Sequence, residues 1–172
     1  MVLRTVRADD KERLLDGFHR LSPESRYLRF HGVKTDLTDA ELRYLTEVDG
    51  VRHVAIGALR GDEGVGIARL IQLDGEAGVA EAAVTVLDEM QGKGLGTLLL
   101  QRLIAAADER GIARVRCLVL GSNQAMQDLL TRVAGGESHV TVTGGVVTVE
   151  IALDGLHELL RLAAQRVLTL GV

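Results

Sequence analysis

Cysteine is almost missing from this chain: Cys117 stands alone among 172 residues. No internal disulfide can form, and no Cys/His cluster has the spacing of a zinc site. No metal is expected, and a reducing, cytoplasmic setting is. Aromatic residues are scarce as well, with two Tyr, two Phe and no Trp, which removes the stacking platforms that hold single-stranded nucleic acid. There is no excess of basic residues: the formal net charge is -4, whereas nucleic-acid-binding domains carry a basic face. No apolar run approaches the roughly 20 residues that a membrane-spanning helix needs. The first ten residues reach Asp9 and Asp10 too early for a secretory signal. Nucleic acid and membrane are therefore not expected partners.

What is present suits a globular domain, with 47% apolar and 26% charged residues. Residues 1–172 read as a single domain, with a core over about 2–151 and no linker or repeat. Val2 to Arg7 alternates like a strand, and Asp9-Asp10 start a helix running to Arg20. Ser22-Pro23-Glu24-Ser25 starts a second helix, with Ser as cap and Pro in the first turn. Thr38 and Glu41 have capping-box spacing for a third helix to Thr46. Strands are predicted at Val51–Arg60 and Val65–Leu73 around a Gly61–Gly64 turn, and at Val79–Leu87. A helix from Leu95 to Arg110 presents Leu95, Leu98, Leu99, Leu103, Ala106 and Ala107 on one face. Arg114–Val119 is the next strand, and Ser122-Asn123 open a helix to Val133. His139–Thr143 and Val146–Ile151 form a hairpin about Gly144-Gly145. Asp154 caps a last amphipathic helix to Leu168. The class is α/β (α+β), a mixed and mostly antiparallel sheet flanked by helices.

The chemistry points to Gln91-Gly92-Lys93-Gly94-Leu95-Gly96-Thr97, which lies between a strand and a helix. A glycine-rich turn opening a helix presents unpaired N–H groups, and the helix dipole favours an anion there. Phosphate or pyrophosphate is the expected ligand. The spacing is not G-x-x-x-x-G-K-[ST], so a P-loop is excluded. It is also G-x-G-x-G rather than the dinucleotide G-x-G-x-x-G, and the following strand has no terminal acid for a ribose.

Gln91-x-x-Gly94-x-Gly96 resembles the Q/R-x-x-G-x-G/A signature of the GNAT acetyltransferases, and the element order over Val2 to Ile151 is similar to that fold. Leu21-Ser22-Pro23-Glu24-Ser25-Arg26-Tyr27-Leu28-Arg29-Phe30 and Val79-Ala80-Glu81-Ala82-Ala83-Val84-Thr85-Val86 are similar to the catalytic domain of bacterial protein lysine acetyltransferases. The resemblance implies acetyl-CoA as acyl donor and an amine, a protein lysine or a small molecule, as acceptor. It places the CoA pyrophosphate on the amides of Gly92 to Thr97. Lys93 either adds a charge or is solvated. Thr97 is either a phosphate donor or an ordinary first-turn residue. The resemblance sets the pantetheine arm and an oxyanion-stabilising N–H along Val84, Thr85 and Val86, and it brings Asn123 and Gln124 against the far side of CoA. Asn123 is equally a plain helix cap.

Glu81 matches the family's catalytic glutamate. An acid in an apolar strand is costly unless paired or functional; by itself Glu81 reads as a solvent-facing or salt-bridged strand acid, and the resemblance makes it a general base. Tyr27, Arg29, Phe30 and His31 fall where the acceptor site lies in such enzymes, although Arg26 and Arg29 read as surface or packing residues. No tyrosine lies within Ala125–Ala134 to serve as general acid. Cys117 reads as a buried small residue. His53 reads as a satisfied strand histidine. A small-molecule acetyltransferase and a non-catalytic acyl-CoA sensor on the same fold are the competing readings. The added helix at 154–168 covers the core, mediates a homodimer or shapes the acceptor cleft.

Overall fold

The computed structural model describes residues 1–134 and 138–153. A seven-stranded sheet in the order β1-β2-β3-β4-β5-β7-β6 forms its centre. The strands are β1 (Val2–Thr5), β2 (His53–Arg60), β3 (Glu63–Gln72), β4 (Val79–Val86), β5 (Arg114–Leu120), β6 (Ser138–Thr143) and β7 (Val146–Ala152). Helices α1 (Lys11–Arg20), α2 (Pro23–Phe30) and α3 (Asp39–Thr46) link β1 to β2; α4 (Leu95–Asp108) links β4 to β5, and α5 (Gln124–Ala134) follows β5. Every neighbouring pair of strands is antiparallel except β4 and β5. The sheet is thus the mixed, mostly antiparallel one expected. The helix expected at Asp154–Leu168 lies outside the described residues. Among those residues, no helix is long and apolar enough to cross a membrane.

Local chemistry set the element ends. Ser22 Oγ accepts the Ser25 N–H, and Thr38 and Glu41 close the anticipated capping box. The first helix begins later than expected, at Lys11, because Asp10 turns back to accept the Arg7 N–H and closes a short 3₁₀ turn at Ala8–Asp10. Strand β2 begins at His53 rather than Val51, since Asp49 gathers the N–H groups of Val51, Arg52 and His53 into a turn. The β2–β3 hairpin is tighter than anticipated: Arg60 pairs with Glu63, leaving Gly61-Asp62 as the turn. Gly61 adopts φ 62° there, the left-handed geometry that two-residue hairpin turns favour.

Alternation along the strands gives each sheet face its own helices. Gly66, Ala68 and Leu70 of β3, with Ala80 and Ala82 of β4, face α4. A Cβ on Gly66 would sit 3.0 Å from Leu99 and 3.3 Å from Leu95, so the glycine lets α4 lie close to the sheet. Leu95, Leu99, Leu100, Leu103, Ile104 and Ala107 are the buried residues of α4. Leu98 is 43% exposed, so the buried stripe is rotated from the one read in the sequence. The helix is apolar almost all round, and the seat at Gly66 selected the face. On the opposite side Phe18, Leu37 and Leu42 form a second small core with Phe30 and Leu45.

Asp10 fastens that second layer to the sheet. It bonds Arg4 at 2.6 and 2.7 Å, Arg13 and the Arg7 N–H. The Arg4 hydrogen bonds hold its carboxyl far below the usual carboxylate range. Asp10 therefore contributes stability above about pH 4 that is lost as the pH falls below it. Asp10→Asn should cost about 2 kcal/mol and flatten the acid limb of the stability curve. Thermal melts between about pH 7 and pH 3 check this; parallel acid limbs would contradict it.

Candidate active site

The sheet opens in its middle. β4 and β5 pair only at Val79–Arg114, Ala80–Val115 and Glu81–Arg116. Beyond Glu81, β4 stays with β3 up to Val86, and β5 stays with β7 up to Leu120. The two strands therefore part, and the facing backbone edges of Ala82–Val86 and Cys117–Leu120 have no strand partner. Between them lies a cleft of about 830 Å³, bounded by α2, the glycine loop and α5.

The loop closes one end. Gly92 (φ 68°) and Gly94 (φ 82°) are left-handed, with open space where a Cβ would stand. The third glycine serves close packing instead, since a Cβ on Gly96 would lie 3.3 Å from Leu129 of α5. The first N–H bonded along α4 belongs to Leu98, donating to Gly94 O at 3.1 Å. Among the described residues the N–H groups of 92–97 before it have no backbone partner, the arrangement that suits an anion at a helix start.

Asp88 joins this loop to α2. It accepts from the Ser22 N–H (3.0 Å), Ser22 Oγ (2.7 Å) and Ser25 Oγ (2.8 Å). Gln91 Nε2 donates to Ser25 Oγ and to Val86 O. Burial pushes the Asp88 carboxyl up, but the hydrogen bonds from Ser22 and Ser25 outweigh it and leave it below its ordinary value. Neither Asp88 nor this role of Ser25 stands out in the sequence. The Ser-Pro-Glu-Ser run announces a helix start, and only the fold brings Asp88 to it.

Glu81 stands at the apex of the split, between Ile71 on β3 and Arg116 on β5. It is half-buried and lines the cleft. Among the described residues its carboxylate has no hydrogen bond or ion pair. Arg116, its neighbour in the sheet, is occupied by Glu76 and Glu150. The groups that sense the Glu81 charge are Arg29 and Cys117. Burial, then that charge, push the Cys117 thiol up to about 12, so it remains an un-ionised core residue. A carboxylate with free lone pairs at the mouth of a cleft can accept a proton from an incoming group.

Of the residues singled out in the sequence, Glu81, Val84, Thr85, Val86, Gln91, Gly92, Gly94, Gly96, Thr97 and Asn123 all line the cleft. Lys93, Leu95 and Gln124 are not among its lining residues. Leu95 is packed against Gly66, and the Gln124 amide is bonded to Asp128. Asn123 does cap α5, accepting the Met126 N–H at 3.1 Å, and it faces the cleft as well. Arg26 is a packing residue, donating to Leu21 O and His19 O. Arg29 is different: it lines the cleft with Phe30 and His31, whereas Tyr27 is 46% exposed and outside it. His31 ends α2 with φ 53°, the one non-glycine residue with positive φ among those described. His53 Nε2 accepts from the Arg69 guanidinium, as a satisfied strand histidine does.

The chain resembles known proteins over most of its length. Residues 16–135 match the family model described as acetyltransferase (GNAT) family. Acetyltransferase Pat of Mycolicibacterium smegmatis is 37% identical over 151 residues, 87% of this chain and 44% of that protein. The chain thus spans less than half the length of that curated relative. The crystal structure of the GNAT domain of S. lividans PAT superposes with a TM-score of 0.81 at 31% identity, covering 88% of this chain and 89% of that one. The protein yncA from Salmonella typhimurium, solved with its cofactor acetyl-CoA, shares the fold at a TM-score of 0.72 and 21% identity, covering 89% of this chain and 94% of that one. With its sheet split beside a glycine loop, and with these likenesses, the chain belongs to the acetyltransferase (GNAT) family.

Proposed function

We propose that residues 1–172 act as one catalytic domain that transfers acetyl from acetyl-CoA to an amine by direct attack in a ternary complex, with a protein lysine as the favoured acceptor. The observation that carries this reading is the split of β4 from β5 immediately after Glu81. The unpaired edge of Val84, Thr85 and Val86 suits an amide-bearing arm, which would hydrogen-bond as a neighbouring strand does. A backbone N–H there would stabilise the oxyanion formed on attack, an effect worth about 3 kcal/mol in other acyl transfers. The loop from Gln91 to Thr97 would take the diphosphate.

Glu81 is the proton acceptor in this scheme. An alkyl amine, with a pKa near ~10.4, arrives protonated and cannot attack. Glu81 shares the cleft wall with Arg29, Phe30 and His31 at the end of α2, the side from which the acceptor would enter. The amine loses its proton toward Glu81, directly or through water, and attacks the thioester carbonyl. The tetrahedral adduct collapses with loss of the CoA thiolate. Cys117, held as a thiol, forms no acyl intermediate. The lean toward a protein lysine rests on the likeness of Leu21–Phe30 to protein lysine acetyltransferases.

Glu81→Gln is expected to lower turnover about tenfold or more while acetyl-CoA still binds. Steady-state rates and calorimetry on one preparation check this, and a variant with normal turnover would remove Glu81 from the chemistry. Gly94→Ala puts a Cβ on a residue at φ 82°, a strain of about 1–2 kcal/mol. If the loop holds the diphosphate, the dissociation constant for CoA should rise roughly tenfold or more. Unchanged CoA affinity in a folded variant would refute the loop assignment.

A further inference from the structure

A second, smaller cavity of about 110 Å³ lies beneath α1, α2 and α3 and shares Arg29, Phe30 and Thr85 with the cleft. Its charges do not balance. Arg69 of β3 is 5% exposed and points into this layer, donating to Leu45 O at 2.6 Å and contacting His53 Nε2. Neither partner carries a negative charge. Arg29 lines both spaces with its guanidinium 5.2 Å from the Phe30 ring, and among the described residues it has no hydrogen bond or ion pair. The carboxylate lining the smaller cavity is Asp10, already bonded by Arg4, Arg13 and the Arg7 N–H. In the cleft, Glu81 is required as a base, and Asp128 accepts the Gln124 amide.

Two guanidiniums that share a cavity wall, are largely desolvated and, among the described residues, are bonded to no carboxylate form an anion receptor. Burial, then the neighbouring Arg29 charge, push Arg69 down to about 10; Arg29 is itself lowered by burial, with the Glu81 charge acting the other way. Phosphate is better served by the glycine loop at the other end of the cleft. A planar carboxylate fits the guanidinium fork. Arg69 pairs across to Ala83, two residues beyond Glu81 on the same sheet face. The receptor is therefore on the side from which the acceptor reaches Glu81.

We propose that Arg29, backed by Arg69, forms a carboxylate-binding subsite that selects acceptors carrying a carboxylate beside the reactive amine, such as a lysine flanked by glutamate. This rests on the acyl-transfer reading above. Arg29 holds the acceptor in register with Glu81. The other source of a carboxylate is the donor, in a dicarboxylic acyl-CoA.

The test compares two lysine peptides that differ only in Glu or Gln on either side of the lysine, with acetyl-CoA as donor. The wild-type protein is expected to favour the Glu peptide about tenfold or more in kcat/KM, mainly through KM. In Arg29→Gln the ratio should fall to near one, and Arg29→Lys should restore part of it. CoA calorimetry on each variant establishes that it is folded. A binding arm needs no turnover: both peptides are titrated into the CoA-bound protein, and tighter binding of the Glu peptide should vanish in Arg29→Gln. Equal treatment of the peptides by the wild type in both arms, or a preference that survives in folded Arg29→Gln, would overturn the subsite. A preference for succinyl-CoA over acetyl-CoA that depends on Arg29, with the peptides treated alike, would overturn its assignment to the acceptor. Peptide binding without transfer to any amine would refute the acyl-transfer reading and leave the subsite standing.

Discussion

The parting of β4 and β5 is the constraint on which the site depends. A buried sheet normally pairs every backbone group, because an unpaired N–H or C=O away from water costs free energy. Here the one parallel contact in the sheet lasts three residue pairs and then stops. Both strands keep their outer partners, β3 and β7, to their ends. The inner edges are therefore held rigidly apart and remain available for hydrogen bonding. Glu81 belongs to the last pair before the split, so the frame that opens the cleft also fixes the carboxylate at its apex.

Neighbouring elements are held to that frame by close contacts. Gly66 seats α4 against β3, and Gly96 lets Leu129 of α5 approach the start of α4. These two glycines serve packing, whereas Gly92 and Gly94 serve backbone geometry. Asp88 gathers Ser22 and Ser25, and Gln91 returns to Ser25 and Val86. The glycine turn and α2 are thereby one hydrogen-bonded body.

Much of this is legible in one dimension. The capping residues Ser22, Thr38 and Asn123, the strand-turn-helix around Gly94, and the hairpin about Gly144-Gly145 are local codes, read by spacing alone. Sequence and structure part where a long-range partner makes the choice. Periodicity assigns Leu98 to the core and passes over Leu100, because a helix apolar on most sides has no intrinsic inward face until Gly66 offers a seat. Arg29 reads as a surface or packing residue, since nothing nearby in the chain tells that it lies against a cleft with an unbonded guanidinium. Gln124 reads as a site residue from its position at a helix start, yet one residue of rotation separates it from Asn123, which faces the cleft.

The amino-acid sequence by itself determined the order of elements, the glycine turn and the kind of anion it suits, because capping, periodicity and left-handed turns are short-range physics. It shows Glu81 as an acid in an apolar strand, which on solvation grounds alone reads as solvent-facing or salt-bridged; the family resemblance makes it a candidate base. Only the tertiary structure decided that β4 and β5 part after Glu81, that Arg116 is occupied by Glu76 and Glu150, and that Arg29 and Arg69 line one cavity. Those outcomes depend on strands distant in the chain choosing partners. Such a choice is made by the packing of the whole sheet and its two helical layers, and no local pattern encodes it.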